Sequence, residues 1–152
     1  MTEDERFMSL ALGEARAAAA EGETPVGAVI VRGGEVIASA HNTRETSKNA
    51  LHHAEILCID RACRRLGGWR LPGCALYVTL EPCPMCAGAV INSRIERVVF
   101  GARDGKAGSF GSVTDLSSLP YNHRPEIKGG VLAEECAALL SDFFTGLRSK
   151  QK

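Results

Sequence analysis

The sequence predicts an α/β fold: a mixed sheet of five strands with helices on both faces. Three observations predict it. Helical and strand-like apolar periodicities alternate along the 152 residues. Two strand-like runs, 75–80 and 97–101, flank a helical one and form a βαβ unit, which favours parallel pairing. Gly33-Gly34 separates two other apolar runs and reads as a hairpin turn. No internal repeat or low-complexity linker interrupts the chain, so a single domain over 1–152 is expected.

The elements follow in order. Thr2 and Glu5 have capping-box spacing. Phe7, Met8, Leu10, Ala11, Ala15, Ala18 and Ala19 then make a helical stripe that ends near Gly22. Residues 25–31 read as a buried strand and 35–40 as its return, and 41–51 are polar and loop-like. A second helix runs from about His52 to Leu66, turning Ile56, Ile59, Ala62, Cys63 and Leu66 inward, and Gly67-Gly68 stops it. After the strand at 75–80, Pro82 turns the chain into a third helix, Cys83 to about Ser93. A strand at 97–101, a Gly/Ser-rich loop at 105–112 and a short strand within 126–131 come next. The last helix runs from Ala133 to about Leu147 with Leu139, Leu140, Phe143 and Phe144 on its apolar face.

Composition narrows the function classes. With 18 basic and 18 acidic residues the net charge is zero, so any nucleic-acid contact must come from local patches. Candidates are Arg61, Arg64, Arg65 and Arg70, and the tail residues Arg148, Lys150 and Lys152; a solvated face and a frayed end are the plainer readings. No apolar run is long enough to span a bilayer, and the acidic N-terminus lacks the apolar core of an export signal. A cytoplasmic protein without a membrane partner is expected. Thiols there stay reduced, and Cys58, Cys63, Cys74 and Cys136 read as small buried hydrophobes.

Cys83 and Cys86 carry a different signal. His53-Ala54-Glu55 precedes Pro82-Cys83-Pro84-Met85-Cys86, and both segments fall at predicted helix starts. One imidazole and two thiols can hold Zn²⁺ and leave its fourth tetrahedral position open, which suits catalysis rather than a closed structural site. The positive end of a helix favours thiolate over thiol at Cys83. Glu55 is then the proton shuttle, taking a proton from water and delivering protons to a departing amine. H-x-E followed by P-C-x-x-C is the signature of zinc nucleobase deaminases, so hydrolytic deamination is the expected chemistry. Read separately, the pairs have plainer meanings: C-x-x-C as a redox-active, structural or incidental pair, H-x-E as a capping or surface pair.

The wider match resembles the bacterial tRNA-specific adenosine deaminases of the cytidine deaminase-like superfamily. It rests on Pro25 to Val29, His53-Ala54-Glu55, Leu76 to Ala89, Ser93-Arg94-Ile95, Val98 to Ala102, Gly108 to Ser112, and Asn122-His123-Arg124, and covers nearly the whole chain. The resemblance implies a three-layer α/β/α fold, one Zn²⁺ per subunit and a homodimer. It implies a hydrolase acting on the C–N bond of a cyclic amidine, which converts adenosine to inosine at the wobble position (34) of a tRNA anticodon, chiefly of an arginine tRNA. The anticodon stem-loop is the implied partner. Asn42 would hydrogen-bond the flipped base, the backbone around Ala54 and Pro84 would fix base and water, and Asp104 and Asn122 would line the groove for the anticodon loop. By residue type alone, Asn42, Asp104 and Asn122 are turn formers. Two other functions share the motif: a free nucleobase or nucleoside deaminase for guanine or cytidine, and an RNA-binding or subunit-interaction protein with vestigial zinc. The family usually has Pro-Thr-Ala before its His-Ala-Glu; here Ala50-Leu51-His52 puts bulkier side chains beside the helix start.

Overall fold

The computed structural model describes residues 1–150, the side chain of Lys150 excepted; Lys152 of the basic tail lies outside them. The elements are α1 (Glu3–Ala20), β1 (Gly27–Arg32), β2 (Glu35–His41), α2 (Arg44–Ser47), α3 (Ala54–Leu66), β3 (Cys74–Leu80), α4 (Pro84–Ser93), β4 (Arg97–Ala102), β5 (Glu126–Lys128) and α5 (Ala133–Lys150). A 3₁₀ turn, Leu116–Ser118, interrupts the long β4–β5 connection.

The five-stranded sheet has the order β2-β1-β3-β4-β5. β1 pairs antiparallel with β2 and β3, whereas β3, β4 and β5 run parallel. Both expectations of pairing hold. Gly33 and Gly34, at φ +58° and +80°, make the tight hairpin that only left-handed residues allow.

Two cores follow from the strand alternation. Ala28, Ile30, Leu76, Val78, Val98 and Phe100 point to α3 and α4, where Cys58, Ala62, Ala87 and Val90 meet them. Val29, Val31, Tyr77 and Val99 point the other way, to Phe7, Met8, Ala11 and Leu12 of α1 and Cys136 of α5. Each fully buried aliphatic or aromatic side chain contributes roughly 1.5–3 kcal/mol of burial free energy. Helix α1 lies close on the sheet because residue 27 is glycine: a Cβ there would collide with the Ala11 carbonyl and the Ala15 N–H. Asp4 in the first turn of α1 accepts from Tyr77 Oη (2.7 Å), Arg97 (2.8 and 2.9 Å) and Lys128 (2.8 Å), which ties the helix to β3, β4 and β5.

Several boundaries differ from expectation. The polar stretch after β2 contains the short helix α2, whose first N–H groups are received by the buried carboxylate of Glu23: Glu45 N at 3.0 Å and Thr46 N at 2.6 Å. Helix α3 begins at Ala54 and α4 at Pro84, so His53 and Cys83 stand at the caps instead of inside. The buried residues of α3 are Ala54, Glu55, Cys58 and Ala62; Ile56, Ile59, Cys63 and Leu66 are only half-buried. Leu10 of α1 faces solvent while Leu12 is buried. β5 stops at Lys128, because Gly129 presses on the Phe100 ring and Gly130 turns the chain at φ +90°. α5 continues past Leu147 to Lys150. Arg61 and Arg65 donate to the carbonyls of Ser39 and Ile37, and Arg64 pairs with Asp60, so part of that arginine cluster clips α3 to the edge strand β2.

Candidate metal centre and active-site pocket

Two helices start side by side near the carboxyl end of the central strand β3, each with a potential metal ligand at its cap. His53 is the N-cap of α3 and Cys83 that of α4, both with extended backbone, and Pro84 follows at the first helical position. Ser, Thr, Asp or Asn at an N-cap usually accepts a helix N–H. Neither His53 nor Cys83 makes that side-chain bond, so both side chains are free to turn toward each other. Cys86, one turn into α4, joins them. His53 Nδ1 is 3.7 Å from Cys83 Sγ and 3.6 Å from Cys86 Sγ, and the donor atoms all lie within 4.8 Å of one another. Such separations fit donors that share one centre at ~2.0–2.3 Å, so the three residues form a cluster able to hold a metal ion.

The protonation of the cluster follows from its contacts. Cys83 is drawn down to about 4, first by the hydrogen bond from Cys86, against burial, and then by His53. Cys86 moves the other way, because it donates to Cys83 and is buried. The two thiols therefore share one proton. His53 is raised by its bond to Cys83, against burial, with Glu55 nearby. Glu55 is 4% exposed, and burial, with the Cys83 charge, pushes it up to about 7 despite its own backbone N–H and His53. A carboxyl in that range can both accept and donate a proton near neutrality.

The cluster opens on a cavity of about 190 Å³, lined by His53, Ala54, Glu55 and Cys83 together with Asn42 and Asp104. Six predicted site residues thus meet in one place. Cys86 is fully buried behind the wall. Pro84 and Asn122 are exposed and do not line the cavity. Asn42 and Asp104 keep their turn roles as well. Asn42 Oδ1 accepts Arg44 N at 3.0 Å and its amide donates to Thr24 O at 3.4 Å. Asp104 Oδ1 accepts Lys106 N and Ala107 N at 3.0 and 3.3 Å. His52 is absent from the lining, and its Nδ1 is buried without a partner among the described residues. The lining also includes Thr24, Val26, Arg44, Leu80, Glu81 and Ala107, to which the sequence assigns no site role. Val26 and Ala107 lay inside or beside matched stretches; Thr24 and Arg44 had no local signal.

The sequence model of the MafB19-like deaminase family matches residues 2–148. The tRNA-specific adenosine deaminase of Bacillus subtilis (strain 168) is 56% identical over 153 aligned positions, which cover 100% of this chain and 95% of that protein. The chain belongs to the tRNA-specific adenosine deaminases. Among solved structures, one described as a tRNA:A34 deaminase of A-to-I editing at the wobble position superimposes on this deaminase with a TM-score of 0.85 at 46% identity, covering 89% of this chain and 99% of that one. The three-layer α/β/α arrangement with a mixed five-stranded sheet is the expected cytidine deaminase-like fold. A guanine deaminase from Nitrosomonas europaea shares that fold at a TM-score of 0.75 and 26% identity, covering 91% and 83%.

Proposed function

We propose that this deaminase hydrolyses adenosine to inosine at the wobble position of tRNA anticodons, chiefly of an arginine tRNA. It would work as a cytoplasmic homodimer with one Zn²⁺ per subunit and residues 1–152 as one domain. The observation that carries the reading is a single cavity in which His53 and Cys83 of the His/Cys/Cys cluster, a buried Glu55, Asn42 and Asp104 converge.

His53, Cys83 and Cys86 are the residues that would hold zinc. Bound there, zinc supplies Lewis acidity and makes water acidic near neutral pH. Glu55 takes one proton from the attacking water and passes it to adenine N1, then takes the second from the hydroxyl added at C6 and delivers it to the departing amino group, so adenosine and water give inosine and ammonia. Its burial suits it to both transfers. Asn42 has four hydrogen-bonding valences and uses one acceptor inside its turn and one donor on the Thr24 carbonyl, which leaves an acceptor and a donor for a base edge. Ala54 and Pro84 lie at the two helix starts, where their backbone would fix base and water. Asp104 on the cavity wall and Asn122 on the exposed loop outside it would line the groove for the anticodon loop. The cavity is small, so the base must leave its stack to enter, which costs a few kcal/mol and less in a single-stranded loop.

The test incubates the zinc-loaded protein with anticodon stem-loops that carry adenosine at the wobble position, and in parallel with guanine and cytidine. Inosine in the stem-loop without turnover of the small molecules is the expected result. Rapid turnover of guanine or cytidine with no inosine would contradict it and place this chain with the free-base deaminases.

A further inference from the structure

A carboxylate that takes no part in the proton transfers stands at the wall of the cavity. Glu81 follows β3 and is 2% exposed. Its Oε1 accepts the N–H of Asp104 at 3.1 Å and the hydroxyl of Ser112. Its Oε2 accepts the N–H groups of Phe110 and Ser112, each at 3.1 Å. These partners lie 23 to 31 residues away in sequence and belong to one loop.

That loop closes on itself around the carboxylate. Gly108 N donates to Asp104 O at 2.8 Å, and Ser109 N donates to Pro82 O at 2.9 Å, next to the cysteine turn. A Cβ at residue 108 would collide with the Glu81 carboxylate and the Asp104 carbonyl, so only glycine permits this approach. Glu81, Asp104 and Ala107 all line the cavity that also holds Asn42, His53 and Cys83.

We infer that Glu81 is a positioning residue for the RNA substrate: it fixes the loop from Asp104 to Ser112 as one wall of the cavity and locks that wall to the turn carrying Cys83. The inference rests on the proposed tRNA reading. Both carboxylate oxygens face donors, so glutamine in either orientation aims an N–H₂ group at an N–H or a hydroxyl and must release part of the loop. Glutamine keeps the length and volume of the side chain, so it loosens the wall without opening a cavity beneath it.

The experiment compares full-length, zinc-loaded wild type, Glu81→Gln and Gly108→Ala. It reads zinc content, amide hydrogen exchange at residues 104, 110 and 112, and kcat and KM on a wobble-adenosine stem-loop. Glu81→Gln should keep one zinc per chain, exchange those amides about tenfold faster, and raise KM about tenfold with kcat changed by less than about threefold. Gly108→Ala, which keeps the Glu81 side chain chemically unchanged but drives a Cβ against its carboxylate, should raise KM in the same way. Loss of zinc, or a fall in kcat at unchanged KM, would overturn the inference and leave Glu81 as a support of the cysteine turn alone. Unchanged amide exchange in Glu81→Gln would overturn it as well. If the wild type forms no inosine, the tRNA reading fails on its own, and the exchange measurement, made without substrate, still decides whether Glu81 fixes the wall.

Discussion

His53 and Cys83 occupy positions where a helix gains most from a hydroxyl or carboxylate side chain, and neither caps its helix. Local stability is given up for an imidazole and a thiol that face each other. Cys83→Ser reverses that choice. The hydroxyl caps α4, so the metal-free variant gains about 1 kcal/mol in denaturant melts. It lacks the thiolate, so its metal content after gel filtration falls well below one ion per chain. Full metal occupancy in Cys83→Ser would contradict the assignment of Cys83 as a ligand. These ligands and Glu55 were readable because the chemistry needs particular residue types at short, fixed spacings. Glu81 was not readable as an anchor, although it sits inside a matched stretch. Apart from the Ser112 hydroxyl, its partners are backbone N–H groups 23 to 31 residues away, and backbone groups leave no mark on sequence.

The central strands are legible as continuous apolar runs because both their faces are buried, and α1 is legible from its helical period because one face is. Short elements are not. α2 has four residues and no buried one, and its N–H groups rely on Glu23, more than twenty residues earlier. α3 and α4 start one or two residues later than the sequence predicts, since it shows no ordinary cap there. Glycine at 27 is a packing requirement that periodicity does not reveal. Gly27→Ala must push α1 away from β1, where Ala11 and Ala15 lie against the strand. Overpacking of this kind costs about 2 kcal/mol, to be read as a lower urea midpoint at unchanged slope. A midpoint equal to wild type would show that α1 does not need the close approach.

Across the fold, the first turn of α1 is held to the far end of the chain by Asp4, whose partner Lys128 is 124 residues away. Arg97 donates to the Asp4 carboxylate and, against burial, holds it well below the usual carboxylate range, with Lys128 and Tyr77 adding to the effect. A folded pKa below the unfolded value gives stability that is fully present above the unfolded pKa of ~3.9 and is lost as pH falls below it. Asp4 is partly buried, so Asp4→Asn should cost about 2 kcal/mol at neutral pH, a melting shift of about 5 °C. The difference from wild type should shrink once the pH drops below ~4. A melting difference that stays constant through that range would show that the Asp4 charge is not what joins α1 to the sheet. No pairwise signal links residues 4, 97 and 128 in the sequence, and only the finished sheet brings them together.

The mechanism stands most directly on Glu55. Metal content and single-turnover inosine formation, measured on the same zinc-loaded samples of wild type and Glu55→Ala with a wobble-adenosine stem-loop, test it. The prediction is one zinc per chain in both proteins and inosine formation slower by about 10²–10⁴-fold in the variant. Inosine formed at the wild-type rate by Glu55→Ala would contradict the role of the buried carboxyl as proton shuttle.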